Sequence, residues 1–121
     1  MLRARLESTE STKLQTIKKN YQFSKVYNRG KSFANKHLVL YLLPNKESCN
    51  FFGISISKKL GKSVKRNRIR RIIKECLRIK NLTIKQGYSI VVIVRINAQG
   101  ISYKEIEKSL DNLLKKHGIL L

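Results

Sequence analysis

The chain has 121 residues, of which 27 are lysine or arginine and seven are aspartate or glutamate, so its formal net charge is +20. This length suits one small domain, and a hydrophobic fraction of 41% excludes a disordered basic tail because it is enough to bury a face of each element. Such uncompensated positive charge favours a polyanionic partner, nucleic acid first and an anionic membrane surface second. No apolar run approaches the roughly 18 residues of a membrane span, so we expect no insertion into a membrane.

Residues 1–12 lack the apolar stretch of a secretion signal, and we expect them to form a polar, mobile N-terminal extension. Residues 13–121 contain no internal repeat and are expected to form a single α/β domain. The two cysteines, Cys49 and Cys76, form no CxxC pattern. This usage is typical of a reduced, cytoplasmic protein.

The first predicted elements are a helix and a strand. Asn20 is the expected N-cap of the helix, and Gly30 is expected to end it in a left-handed conformation. A continuous apolar run at 37–44, ended by a proline, predicts the strand.

The segment 51–59 alternates in polarity and predicts a second strand. One face would be buried through Phe52, Ile54 and Ile56. The other face would be small, polar and open, and would consist of Gly53, Ser55 and Ser57. That open face is either a plain solvent face or a surface that a broad, flat ligand approaches closely.

The stretch from Gly61 to Glu75 carries seven cationic side chains and one acid, although its apolar residues fall at helical spacing. On a helical wheel the apolar residues occupy one arc that is expected to pack on the sheet, formed by Ile69, Ile72, Ile73, Cys76, Leu77 and Ile79. The opposite arc is polar and holds Asn67, Arg70, Arg71, Lys74, Glu75 and Arg78, with Arg68 at its edge.

A merely solvated helix face normally alternates acids with bases at i, i+4, and cations in the first turn oppose the helix dipole. Arginine forks and the free N–H groups of a helix start both suit phosphates. We therefore interpret the polar arc as a nucleic-acid surface. Strands flank this helix, which excludes a helix-turn-helix, and aromatic residues such as Tyr27 and Tyr41 suit unpaired bases, so RNA is favoured over DNA.

The last two elements are predicted to be scaffold. The β-branched segment 88–96 predicts a central strand. A capping box formed by Ser102 and Glu105 predicts the start of a final helix, and Gly118 its end. The core face of this helix is expected to contain Tyr103, Ile106, Leu110, Leu113 and Leu114.

Groups able to move protons or hold metal are sparse in the sequence. The seven acids form no pair with metal-ligand spacing in a plausible site, and His37 and His117 are isolated. No nucleophile motif, phosphate-binding loop or dinucleotide fingerprint is present. We expect the protein by itself to have no catalytic residue and no metal site.

Three segments in order, at 23–45, 53–75 and 103–116, resemble the protein subunits of bacterial ribonuclease P, the ribonucleoprotein that removes the 5′ leader from precursor tRNA. The most specific part is RNR at 66–68, which follows SKKLGK at 57–62. The resemblance implies a ribosomal-protein-like α/β sandwich in the order α-β-β-β-α-β-α with a left-handed crossover. Periodicity alone predicts one strand fewer, so 37–59, or a stretch beside it, must divide differently.

The resemblance also implies that an RNA subunit carries the chemistry with Mg²⁺ while the protein assists. The residues that match the family's contacts to the RNA subunit are Arg66, Asn67, Arg68, Arg70, Arg71 and Lys74. Those that match its contacts to the leader are Phe23, Tyr27, Val39, Tyr41, Ser55, Lys58 and Lys59. The implied partners are ribonuclease P RNA, in a 1:1 ratio, and precursor tRNA.

Two alternatives share part of this pattern. A ribosomal or ribosome-assembly RNA-binding protein would have the same charge and size and the same lack of catalytic groups. A protein-only nuclease is disfavoured because the carboxylates that it needs are missing.

Overall fold

The computed structural model describes residues 14–121, which form one five-stranded sheet and three long helices. The elements are β1 (Gln15–Thr16), α1 (Asn20–Arg29), β2 (Lys31–Ala34), β3 (Leu38–Pro44), β4 (Phe51–Ile56), α2 (Ser63–Lys80), β5 (Tyr88–Val94) and α3 (Tyr103–His117). The predicted N-terminal extension, residues 1–12, lies outside the described residues.

The sheet has the strand order β1-β4-β5-β3-β2. β4 runs parallel to both β1 and β5, whereas β3 is antiparallel to β5 and β2. The chain passes from β4 to its neighbour β5 through α2, so α2 is the crossover helix. The predicted α-β-β-β-α-β-α order is confirmed, with the two-residue β1 added in front. The left-handedness of the crossover stays a prediction.

The strand that periodicity missed is β2, which lies beside the segment 37–59 at the edge of the sheet. It spans only four residues, and Phe33 is the one that is partly buried. Because three of its four side chains are exposed, β2 has neither the alternation nor the apolar run that identifies a strand in a sequence.

Helices cover the sheet on both faces. Alternate residues of the central strands, such as Leu40 and Val92, are buried against α2 and α3 in the main core. The residues between them, such as Tyr41 and Val91, lie on the other face in a smaller cluster with Val26 of α1. The α+β sandwich predicted from the resemblance is confirmed. In it, α1 is the element that shapes the second face.

The structure corrects both predicted ends of α1. The N-cap is Lys19 rather than Asn20, and the Gln22 side chain accepts hydrogen bonds from the backbone N–H groups of Lys18 and Lys19. Gly30 is extended, with φ −78° and ψ 156°, and is not left-handed. Position 30 requires glycine for a different reason. The backbone of α1 approaches it closely, and a Cβ there would lie 2.5 Å from the backbone oxygen of Val26.

The predicted ends of α3 are confirmed, whereas two side chains predicted to be buried, one on α2 and one on α3, are exposed. Ser102 caps α3 by accepting a hydrogen bond from the Glu105 N–H, and Gly118 ends the helix in the left-handed region. Tyr103, predicted to face the core, is 38% exposed, and Ile79 of α2 is 45% exposed. Tyr103 is the first residue of its helix and Ile79 lies in the last turn of its own.

The imidazole of His117, at the end of α3, lies against the sheet. Its Nε2 donates to the backbone oxygen of Leu40 over 2.8 Å, while its buried Nδ1 has no partner within residues 14–121. Burial lowers the pKa of His117, the Leu40 carbonyl opposes this shift, and the Lys31 charge adds to it. The unfolded chain, with a histidine pKa of about 6.5, therefore binds the proton more readily than the folded chain.

We expect the free energy of unfolding to fall as the pH drops through about 6.5, because protonation of His117 favours the unfolded chain. Urea unfolding at pH 7.5 and pH 5.5 measures this loss. His117→Gln keeps an N–H donor but does not titrate, so it should lose less stability between the two pH values. Equal losses in the wild type and the variant would contradict the assignment.

Candidate nucleic-acid interface

The six residues matched to RNA-subunit contacts all lie on α2, and we call them the α2 surface: Arg66, Asn67, Arg68, Arg70, Arg71 and Lys74. Asn67, Arg68, Arg71 and Lys74 are exposed, whereas Arg66 and Arg70 are half-buried. The helix begins at Ser63 with Lys62 as its N-cap, and no side chain caps its first turn. Its N–H groups therefore add to the positive potential of the cations around them.

Three arginines of the α2 surface are held by backbone oxygens in three different directions. Arg66 Nε donates to Gly61 over 3.1 Å, which turns the guanidinium back over the start of the helix. Arg68 Nη1 points to Ile101 before α3, and Arg70 Nη1 points to Ile54 of β4, each over 3.4 Å. Carbonyls do not neutralise the charge, so the arginines are oriented while their remaining N–H groups stay available to phosphates.

The single acid of α2 does not neutralise this surface. Glu75 accepts two hydrogen bonds from Arg78, at 2.7 and 3.2 Å, and these bonds hold the pKa of the Glu75 carboxyl below its usual value. Lys80–Asp111 is the second of the two ion pairs found within residues 14–121. No cation of the α2 surface takes part in either pair.

The seven residues matched to leader contacts lie around the α1 face of the sheet, and we call them the sheet surface: Phe23, Tyr27, Val39, Tyr41, Ser55, Lys58 and Lys59. Its aromatic rings form one cluster. The Tyr27 ring centroid lies 5.1 Å from that of Tyr41 in an edge-to-face arrangement and 6.3 Å from that of Phe23. All three residues are half-buried, so each ring packs on the sheet and keeps part of its surface open.

Beyond the ring cluster the sheet presents a row of small or apolar side chains. Val39, Ile93 and Ser55 stand opposite one another across β3, β5 and β4, and all three are half-buried. Exposed Lys58 and Lys59 follow β4 in a short 3₁₀ turn, where the Ser57 side chain accepts a hydrogen bond from the Lys59 N–H. Rings, a partly open row and two cations thus lie together, an arrangement that suits a single-stranded nucleic acid.

The predicted open face of β4 is only partly open. Gly53 is buried because the Phe23 ring lies over it, and a Cβ at Gly53 would come 2.7 Å from Phe23 Cε1. Ser55 is half-buried and Ser57, just after the end of β4, is exposed, so accessibility increases toward the end of the strand. The open region therefore begins where α1 ends its cover, at the row that contains Ser55.

Sequence reasoning missed β1 and the residues after it. Thr16 pairs with Phe52 of β4, and Lys18 follows two residues later, after the strand has ended. A strand of two residues carries no periodic signal, so only its pairing identifies it.

The described part of the chain contains neither a metal-ligand cluster nor a helix that could span a membrane. Among residues 14–121, no group of three or more His, Cys, Asp or Glu side chains is placed to hold a metal ion. No helix within that range has both the length and the apolar character to cross a membrane.

Comparison with known proteins gives one consistent result. A family model described as Ribonuclease P matches residues 12–118. The ribonuclease P protein component of Clostridioides difficile (strain 630) is 50% identical over 104 residues, which cover 85% of this chain and 91% of that protein. The corresponding protein of Clostridium perfringens (strain SM101) is 43% identical over 113 residues, covering 88% and 90%.

Solved structures agree with the sequence relatives. The RNase P protein of Staphylococcus aureus superposes with a TM-score of 0.83 at 37% identity, covering 90% of this chain and all of that one. The RNase P protein of Thermotoga maritima superposes with a TM-score of 0.78 at 27% identity, covering 84% and 96%.

Proposed function

The chain belongs to the ribonuclease P protein family, and from this premise we propose that it binds ribonuclease P RNA through the α2 surface and the 5′ leader of precursor tRNA through the sheet surface. A ribonuclease P protein component works with the ribonuclease P RNA in an endoribonuclease that processes tRNA. We further propose a 1:1 ratio to the RNA subunit, a cytoplasmic location, and one RNA-binding domain over residues 13–121.

The observation that carries the proposal is the difference between the two surfaces. The α2 surface combines oriented arginines with an uncapped helix start and has no acid of its own to neutralise it. This suits the closely spaced phosphates of a folded RNA. The sheet surface combines aromatic rings with a partly open row and two lysines, which suits unpaired nucleotides. No observation favours the ribosomal alternative.

We propose that the RNA subunit carries the chemistry and uses Mg²⁺, as the family resemblance implies. We assign no metal ion to the protein itself. Within residues 14–121 no three His, Cys, Asp or Glu side chains cluster as metal ligands, and Glu75 and Asp111 form ion pairs with Arg78 and Lys80. In this proposal the protein contributes binding, orientation and charge neutralisation, and no proton transfer is assigned to its side chains.

Mixing the purified protein with ribonuclease P RNA and precursor tRNA at low magnesium tests the function. We expect mature 5′ ends with both components, because the protein's cations lower the magnesium needed to bring the RNAs together. The protein alone should produce none. Cleavage by rigorously RNA-free protein that is abolished by changing a carboxylate would overturn the assignment of chemistry to the RNA.

Binding to ribonuclease P RNA should depend strongly on salt. If six or more phosphates are neutralised, the slope of log K against log salt concentration should be steeper than about −4, at about 0.7 to 0.9 per contact. Filter binding or fluorescence titration measures this slope over a range of about 50 to 300 mM monovalent salt. A slope near −1 would contradict the electrostatic account of the α2 surface.

A further inference from the structure

A basic groove runs between β1 and α2 and belongs wholly to neither of the two surfaces. One wall is the first part of the described chain, with Thr16 and Lys18, and the other wall is α2, with Arg70, Arg71 and Lys74. We call this the β1–α2 groove. Two adjoining cavities of about 410 and 430 Å³ form it.

The groove exists because β1 is short. β1 pairs with β4 only at Gln15–Phe51 and Thr16–Phe52, with one further bond from the Ile17 N–H to Phe52, before the chain turns into α1. The edge of β4 beyond Phe52 therefore has no strand beside it. Arg70 covers this edge, since its Nη1 donates to the Ile54 oxygen over 3.4 Å. The groove is therefore lined by the unpaired edge of β4 at Gly53 and Ile54, where the Arg70 guanidinium takes the place of a neighbouring strand.

The groove is positively charged on both walls. Lys18, Arg71 and Lys74 are exposed, and none of them forms an ion pair within residues 14–121. The acid that lines the groove, Glu75, is paired with Arg78. A long anion that enters the groove would meet cations on either side and no unpaired carboxylate among these lining residues.

The groove also connects the two surfaces. Phe23 of the sheet surface and Gly53 line one end, while Arg70 and Lys74 of the α2 surface line the other wall. An RNA strand that leaves one surface therefore has a continuous basic path to the other. A protein partner would need an acidic segment of matching length, whereas the phosphodiester backbone supplies regular negative charge whatever its sequence.

We propose that the β1–α2 groove binds the sugar–phosphate backbone of a single RNA strand, and that Lys18 is a further RNA-contacting residue opposite Arg70 and Lys74. This inference rests on the proposed function. We assign that strand to the RNA subunit, because Arg70, Arg71 and Lys74, which line the groove, belong to the α2 surface.

The test compares Lys18→Ala with Lys108→Ala, an exposed lysine of α3 that does not line the groove. Both variants remove one positive charge. Lys18 contributes its backbone N–H, not its side chain, to the bond with Gln22, so the fold should tolerate the change. Three quantities are measured: affinity for ribonuclease P RNA, the salt slope of that affinity, and the ratio of affinities of the holoenzyme for long-leader and short-leader precursor tRNA.

Lys18→Ala should weaken binding to ribonuclease P RNA about three- to tenfold and make the salt slope shallower by about 0.7 to 0.9, relative to Lys108→Ala. Unchanged assembly together with a lower long-to-short leader ratio would overturn the assignment to the RNA subunit, because the leader would then fill the groove. Indistinguishable behaviour of the two variants in all three measurements would overturn the groove proposal. The function itself would fail separately, if the wild-type protein did not bind ribonuclease P RNA.

Discussion

Arg68→Ala and Tyr27→Ala are expected to weaken two different binding steps of ribonuclease P. Arg68→Ala should weaken assembly with the RNA subunit and Tyr27→Ala the binding of precursor tRNA, each by about 1–3 kcal/mol of binding free energy. Arg68 is exposed, and its one described partner, the Ile101 oxygen, lies 3.4 Å away, so its removal should change the stability of the protein little. Loss of a charged, forked contact should weaken assembly with the RNA subunit. Once saturated with protein, that holoenzyme should bind precursor tRNA nearly normally.

Tyr27→Ala should leave assembly intact and lower the affinity for precursor tRNA with a leader of several nucleotides. The reason is the loss of a stacking face beside Tyr41 and Phe23. Mature tRNA, or a one-nucleotide leader, should be affected little, because in the proposed arrangement only a longer leader extends to the ring cluster. The measurement is the ratio of long-leader to short-leader affinity in each saturated holoenzyme.

Conservative variants separate the contacts from the fold. Tyr27→Phe keeps the ring and should retain the leader ratio, and Arg68→Lys keeps the charge without the fork and should show an intermediate loss. Thermal melting must confirm that each variant is folded, above all Tyr27→Ala, since that ring is half-buried. If Arg68→Ala lowers the leader ratio as much as Tyr27→Ala does, the assignment of separate roles to the two surfaces is wrong.

Asn50→Ala is expected to destabilise the protein by about 2–5 kcal/mol, because it leaves buried backbone groups without partners. Asn50 is 1% exposed. Its Nδ2 donates to the Asn81 side chain and to the Lys85 oxygen, each over 3.0 Å, and its Oδ1 accepts from the Tyr88 N–H over 2.8 Å. One side chain thus joins the start of β4, the turn after α2 and the start of β5.

Urea unfolding measures this loss, with Asn28→Ala as the matched control. Asn28 is an exposed residue of α1, so its replacement should change the free energy of unfolding by less than about 0.5 kcal/mol. A loss below about 1 kcal/mol for Asn50→Ala would show that water replaces the missing bonds. The Asn50 bonds would then contribute little to holding the turn after α2 against β4 and β5.

Patterns that depend on near neighbours were readable in the sequence. The apolar arcs of α2 and α3, the Ser102 cap and the Gly118 stop all act within a turn or two of helix, and the structure confirms them apart from Ile79 and Tyr103. The RNR segment and its preceding SKKLGK identified the family without any structure, and the comparisons confirm it. The strands β3 and β5 were predicted from their apolar runs because buried strands need such side chains on both faces.

Tertiary contacts decided the features that the sequence does not encode locally. β1 and β2 are strands only because β4 and β3 supply their hydrogen bonds, and Gly30 is glycine because Val26 and Leu42 approach it. The directions of Arg68 and Arg70 depend on carbonyls of Ile101 and Ile54, which other segments bring near. The chain by itself therefore determined that the protein is a basic partner of RNA in a known family. Only the folded sheet decided where the Phe23 ring covers Gly53 and where Lys18 faces α2. Those positions follow from contacts between residues 30 or more positions apart, which no local pattern contains.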